Sequence, residues 1–489
     1  MHRAALIRLL SLLQRDATAP PHSSHELMLF NSFPFIFVFL PITYVVFWSL
    51  RSLQLRYAWL ALAGYVFYGY WNAKFCLLMA FSTLVSFTAG LGLAHFPEGR
   101  KRKLCLVVPI TVDLALLGFF KYADFFLDTA TRVVHAFGSD VSLPRLDIVL
   151  PIGISFYTFH TITYIVDSYR GTVRPTRNLF EFATYVSLFS QLVAGPIVRF
   201  RQIESDLATL GRHDRGRWVA RGLSFFVVGL VEKVLVADSL AAFVDPALAS
   251  YHALSTAGAW MAMLGYSLQL YFDFSGYSTM AVGLGFLFAI HIPQNFNSPY
   301  RALDPSDFWR RWHISLSSCL RDYLYIPLGG NREGVARTYR NMMITMLLGG
   351  LWHGAAWTFV VWGAYHGTLL SLYHWKSARW DVLPARLRQA TMWLLVLVGW
   401  VFFRSKTFGM AWSLLHTMFV PTAGTLVPEP MLALFGILVA GWWSTTGPNA
   451  FELNLHWQPR QRALLVAASA ACLAVIASGR VSPFLYFQF

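Results

Sequence analysis

NMMITMLLGGLWHGAAWTFVVWGAYHGTLLSLYHW, residues 341–375, contains no Lys, Arg, Asp or Glu. A helix crosses the hydrocarbon core of a bilayer with about 20 apolar residues, and this run exceeds that length. Similar uncharged windows cover 30–50, 246–272, 274–300, 407–428 and 430–451. A soluble protein with buried helices needs polar faces that these windows lack. The 489 residues are 56% hydrophobic, 16% aromatic and 13% charged, against roughly 25% charged in an average soluble domain. The chain therefore reads as an all-α polytopic membrane protein.

Weaker windows at 55–70, 75–93, 104–120, 148–166, 180–198, 218–231, 392–403 and 463–478 bring the expected spans to roughly ten to thirteen. Gly and Pro interrupt many of them, as at Leu150-Pro151-Ile152-Gly153, Ala194-Gly195-Pro196 and Gly349-Gly350. Broken or re-entrant helices persist at membrane depth only where protein or a water-filled cavity satisfies the freed backbone groups. So many breaks predict a cavity inside the bundle.

A net charge of +15 could point to nucleic acid, but its distribution argues against that. Basic residues gather at 100–103, 170–177, 199–221, 301–340 and 376–388, whereas no Lys or Arg falls between Lys233 and Arg301 or between Lys406 and Arg460. Positive-inside asymmetry accounts for this pattern, with the basic loops cytoplasmic and regions 238–251 and 420–452 outward. Membrane lipids, with anionic headgroups, are the natural neighbours of those loops. Cys76, Cys105, Cys319 and Cys472 are isolated, with no CxxC pair, which points away from metal or disulfide chemistry. Residues 1–27 have a short basic start and a Pro/Ser/His stretch; they read as a disordered extension or a start placed too early. A single membrane domain is expected over 28–489.

Upstream of the uncharged run, residues 295–332 read NFNSPYRALDPSDFWRRWHISLSSCLRDYLYIPLGGNR. So many charged and imidazole groups in an apolar protein argue for function. Asp304 suits a helix N-cap, Pro305 the first helical position and Asp307 the positive end of the dipole. One amphipathic helix is expected from there to Tyr325. On it, Trp309, Trp312, His313 and Leu316 share the apolar face, and the arginines lie around the other side. A histidine on such a face can be a satisfied structural donor or a functional group.

His353 stands in the uncharged run beside Gly349, Gly350 and Gly354. Those glycines admit a close approach of substrate or backbone, and they can equally serve helix packing. A neutral imidazole there is a competent general base and an equally competent proton relay, so structural, catalytic and transport roles all stay open. His160, His291, His366 and His374 compete with it. Asp273, the one carboxylate in an otherwise uncharged stretch, should face the interior and be paired with a donor or a polar cavity. No GxSxG elbow, P-loop or HExxH occurs.

At these residues the chain resembles the membrane-bound O-acyltransferase (MBOAT) family, in the bacterial branch of alginate-type O-acetylation and teichoic-acid D-alanyl transfer. The resemblance rests on MLFNSFPFIFVFLPI (28–42), PIGISFYTFHTITYIVDSYRG (151–171), LVAGPIVRF (192–200) and YFDFSGYS (271–278). It continues through FWRRWHISLSSCLRDYLYIPLGGNR (308–332), LWHGAAWTFVVWGAYHG (351–367) and WVFFRS (400–405). It implies a ring of tilted, broken helices around a central funnel and tunnel, with His353 catalytic and His313 the second signature position. Trp309, Arg310 and Arg311 would shape the donor entrance, and Asp273, Tyr277, Asn297 and Trp352 would line the substrate path. His160, Ser190, Glu232 and Thr279 depart from the expected pattern, where Gln, Pro, Lys and Asp are usual.

The resemblance further implies acyl transfer from a cytoplasmic thioester, acetyl-CoA or an acyl carrier protein, with no bound cofactor or metal. The acceptor would be a hydroxyl of an exported polysaccharide, and a periplasmic acetyltransferase or esterase-like partner would complete delivery. Other expectations are an acyltransferase for a lipid or secreted peptide, and a proton-coupled transporter or acyl exporter using Asp273 and the histidines.

Overall fold

The computed structural model describes residues 28–212, 215–453, 455, 457–479, 482, 484 and 485. The extension expected at residues 1–27 lies outside the described residues. The described residues form helices and no strand, apart from one isolated bridge between Leu254 and Thr425. Among them, Leu53–His95, Gly99–Ala136, Ala385–Arg404 and Pro459–Ala477 are long and apolar enough to cross a membrane by length and composition. Pro34–Ser49 and Pro430–Thr445 are shorter apolar helices. This is a multi-pass, all-helical membrane protein. Its chain divides into two compact units, Met1–His213 and Asp214–Phe489.

In the first unit, α1 (Leu53–His95) is kinked at Asn72, whose φ of −157° and ψ of 107° leave the helical region. Helices α2 (Gly99–Leu117) and α3 (Ile154–Arg170) pack beside it. Asp113 of α2 is buried, and its carboxylate accepts from Ser82 Oγ of α1 at 2.6 Å and Thr161 Oγ1 of α3 at 2.7 Å. A carboxylate is tolerable at such a place only when its oxygens are satisfied, so this one ties three helices together. His160 of α3 is buried against the Tyr185 ring at 5.6 Å on α4 (Leu179–Ser187), and the Tyr185 hydroxyl donates to its carbonyl at 3.0 Å.

The second unit is organised by α5 (Arg215–Leu230) and α6 (Thr256–Leu287), joined in packing by paired glycines. A Cβ placed on Gly222 would lie 2.9 Å from the carbonyl oxygen of Gly283, and one on Gly276 would lie 2.7 Å from that of Gly229. Only hydrogen fits at those crossings, the usual means by which helices in lipid come close. Beyond α5 the chain widens into a π-helical stretch, Val231–Ala237, that carries Lys233 inward. Lys233 Nζ lies 2.7 Å from Asp238 Oδ1 and 2.6 Å from Asp273 Oδ1. Asp273 Oδ2 accepts the Leu485 N–H at 2.9 Å, and Ser482 Oγ donates to Asp238 at 2.6 Å.

The helix expected over 304–325 is corrected by the structure. Its start is as read: the Asp304 side chain caps it by accepting from Asp307 N at 2.7 Å, with Pro305 in the first turn. It then runs only as α7 (Pro305–Arg311), breaks at Trp312–His313, restarts as α8 (Ile314–Leu320) and ends in a π-helical turn, Arg321–Tyr325. The break has a backbone cause. His313 adopts a left-handed conformation, φ 45° and ψ 54°, which an L residue holds at a cost of about 1–3 kcal/mol and only when its surroundings impose it. Here the extended stretch before it imposes it: Asn297 N donates to Arg311 O at 2.9 Å, and Ile314 N donates to Asn295 O at 2.8 Å.

Candidate active site

His353 is the last residue of α9 (Val335–His353), which stops at Gly354; α10 (Trp357–Trp380) begins three residues later. The two helices cross where Gly350 meets Gly363, and a Cβ on Gly350 would come within 3.2 Å of the Gly363 Cα. Gly350 thus serves helix packing. The crossing sets the imidazole against Trp362 of α10, ring centroids 5.1 Å apart, and Phe403 of α11 (Ala385–Arg404), 5.4 Å apart. His353 is 5% exposed.

His313 is fully buried, 0% exposed, and its ring centroid lies 6.3 Å from that of His353. Trp352 touches both histidines, at 6.0 Å from His313 and 5.1 Å from His353. Phe274 of α6 meets His313 edge-on at 4.7 Å. The two imidazoles therefore share one apolar chamber wall built from α6, α8, α9, α10 and α11.

Aromatic rings continue the wall. Trp362 packs on His366 at 4.9 Å, and Trp309 packs on His366 at 5.2 Å and on Trp362 at 5.7 Å. The indole N–H groups of Trp309 and Trp362 and the His366 Nε2 are buried without a hydrogen-bond partner among the described residues. Next in sequence to Trp309, the Arg310 side chain is 66% exposed and 3.7 Å from Asp307, while Arg311 is tied to Asp307 at 3.0 Å and to the Asn297 carbonyl at 3.2 Å.

The site residues read from sequence fall into three groups. His353, His313, Trp352 and Trp309 come together in the aromatic chamber. Arg310, Arg311 and Asn297 surround its broken helix, with Asn297 Oδ1 also accepting from Asn449 at 3.2 Å. Asp273 and Tyr277 sit on α6 near the chamber but turn elsewhere: Asp273 to Lys233, and Tyr277 to a stacked Phe484 ring at 4.7 Å. Sequence reasoning missed Asn295, Ser315, Trp362, Phe403 and Lys233. Lys233 carried a signal, since a Lys and an Asp five residues apart interrupt the apolar run VEKVLVAD.

The sequence profile of MBOAT, the membrane-bound O-acyltransferase family, matches residues 170–412, which hold both histidines and the chamber aromatics. The protein named "Probable alginate O-acetylase AlgI" of Azotobacter vinelandii is 38% identical over 94% of this chain and 100% of its own length. The chain belongs to the membrane-bound O-acyltransferase family. The protein likewise named "Probable alginate O-acetylase AlgI" in Pseudomonas aeruginosa is 44% identical over 80% of this chain and 75% of its own length. The "Peptidoglycan O-acetyltransferase" of Helicobacter pylori is 37% identical over 80% of each. The protein is thus an O-acyltransferase.

Two of the residues singled out in the sequence touch one another in this acyltransferase. Thr279 Oγ1 lies 3.4 Å from Glu232 Oε2, both buried.

Proposed function

We propose that this acyltransferase moves an acetyl group from a cytoplasmic thioester to hydroxyls of an exported or cell-surface polysaccharide, with His353 as the general base. The observation that carries the reading is the buried pair of imidazoles 6.3 Å apart, inside the stretch that matches the family. Two relatives that act, by name, on alginate and on peptidoglycan support a polysaccharide acceptor.

In the step, His353 takes the acceptor hydroxyl proton as the oxygen attacks the thioester carbonyl carbon. The new C–O bond forms, the C–S bond breaks, and the proton on His353 passes to the leaving thiolate. Trp309 and Trp362 supply N–H donors along the wall, and exposed Arg310 is suited to donor phosphates as a charge-assisted partner. Coenzyme A and a phosphopantetheine-bearing carrier protein share that chemistry. The protein would lie in a bacterial inner membrane with its basic loops cytoplasmic, and a periplasmic acetyltransferase-like partner would receive the acyl group or complete delivery.

A transporter using Asp273 as a proton carrier is less well supported, because that carboxylate is bound to Lys233 at 2.6 Å. The test is the O-acetyl content of the producing cells' surface polysaccharide in wild type, His353→Ala and His313→Ala at matched membrane levels. Loss of O-acetyl groups in His353→Ala is expected. Unchanged acetylation in both variants would remove the polysaccharide assignment.

A further inference from the structure

The backbone around His313 leaves one of its two ring nitrogens no choice of role. Asn295 Oδ1 faces three groups: Ser315 N at 3.2 Å, Ser315 Oγ at 2.8 Å and His313 Nδ1 at 3.1 Å. A backbone N–H is only a donor, so the Asn295 atom opposite Ser315 N must be the carbonyl oxygen rather than the amide nitrogen. The other end of the amide agrees, since Asn295 Nδ2 donates to Ser278 Oγ on α6 at 3.1 Å. An amide oxygen can only accept. The Ser315 hydroxyl also lies 3.4 Å from Nδ1, but its one proton goes to the nearer Asn295 Oδ1 at 2.8 Å, so His313 Nδ1 carries the proton and donates it, and in the neutral ring Nε2 is left with its lone pair. That nitrogen is buried and has no hydrogen-bond partner among the described residues.

Burying such an atom unmatched costs about 1–3 kcal/mol, and it persists where a ligand completes the site. The rings packed around His313 are Phe274, Phe296, Trp352 and His353. Of these only His353 is titratable.

The geometry assigns Asn295 as a positioning residue that fixes the Nδ1–H tautomer of His313, so that His313 Nε2 receives an N–H or O–H of the bound substrate rather than donating to the thioester carbonyl. This rests on the acyltransferase reading of the chamber and divides the labour of its histidines. His353 handles the proton that moves. His313 holds a donor group still, and the two sources of that group are an amide N–H of the thioester's arm and a hydroxyl of the acceptor. Its left-handed backbone belongs to the same device, because the Asn295 carbonyl that accepts from Ile314 N holds the bend that aims the ring.

The first test needs no turnover: ¹⁵N NMR of the full-length protein labelled at histidine, in bilayers, with the His313 signals assigned by their loss in His313→Gln. The Nδ1-protonated neutral form is expected in the wild type and in Asn295→Asp, which retains an acceptor oxygen. Asn295→Leu should shift the ring to the other tautomer or to a mixture. An Nε2-protonated wild type, or an unchanged tautomer in Asn295→Leu, would overturn the assignment even if the protein proves to act on a different acceptor.

The second test is kinetic. Asn295→Leu should lower turnover about tenfold or more, while Asn295→Asp stays within about threefold. A merely structural asparagine would lose equally in both. His313→Phe should raise the KM of one substrate: the thioester's if the amide N–H is the partner, the acceptor's if a hydroxyl is. A kcat loss with neither KM changed would overturn the substrate contact.

Discussion

Lys233 and Asp273 meet at 2.6 Å with side chains 1% and 2% exposed, and Asp238 completes the group at 2.7 Å from the same ammonium. One cation thus neutralises part of the charge of two carboxylates, and backbone and hydroxyl donors from Leu485 and Ser482 satisfy further lone pairs. Removing one member of such a buried set strands the others, a cost of about 3–5 kcal/mol. Lys233→Met should therefore lower the unfolding temperature in detergent and the membrane level of the protein. Lys233→Met combined with Asp238→Asn and Asp273→Asn should recover most of the loss. Equal stability of Lys233→Met and wild type would show that the cluster is not coupled as its distances imply.

His353→Gln keeps polar bulk at the end of α9 but cannot take a proton. Acyl transfer from a thioester to a hydroxyl acceptor in purified membranes should fall by at least about 100-fold, with the protein still present and folded. Retention of more than a tenth of the activity would exclude this imidazole as the base.

Neighbouring glycines in α9 should respond differently to the same added methyl. At Gly350 the Cβ runs into the backbone of α10 at Phe359 and Gly363, which cannot step aside; at Gly349 it meets only the Leu320 Cδ1 at 3.1 Å, a rotatable side-chain end. Gly350→Ala should lose activity and thermal stability together, because it pushes apart the crossing that seats His353 on Trp362. Gly349→Ala should remain near wild type. Activity assays and melting curves on the pair would decide, and the reverse order would refute the packing account.

Arg310 is exposed and only loosely held by Asp307, so its value to the fold is small. Arg310→Ala should raise the KM for the thioester donor several-fold with kcat nearly unchanged. The wild-type KM should climb with ionic strength while the variant's climbs less. A change confined to kcat would place this arginine's effect in the chamber instead of at the donor.

The uncharged windows carried the membrane class, and the ordered motifs carried the family and both histidines, because desolvation restricts which residues survive in such runs. The break at His313 was not legible. Periodicity assigns 304–325 to one helix, and the interruption is imposed by Asn295 and Asn297, which lie upstream of it and reach it only once the extended stretch folds back. Asp273 could be seen to need a partner, but Lys233 lies 40 positions upstream and reaches it through a π-helical stretch that no local pattern announces. Trp362 and Phe403 looked like ordinary span residues; their place against His353 follows from a glycine crossing.

Helix α6 is 32 residues long, about 48 Å at 1.5 Å per residue, whereas a hydrocarbon core measures about 30 Å. A rod of that length, buried along most of its residues, is held by protein rather than by lipid. Because Ser278 and Phe274 brace the His313 corner from this same rod, a shift along the beam would reach the imidazole as a change of aim and not of chemistry.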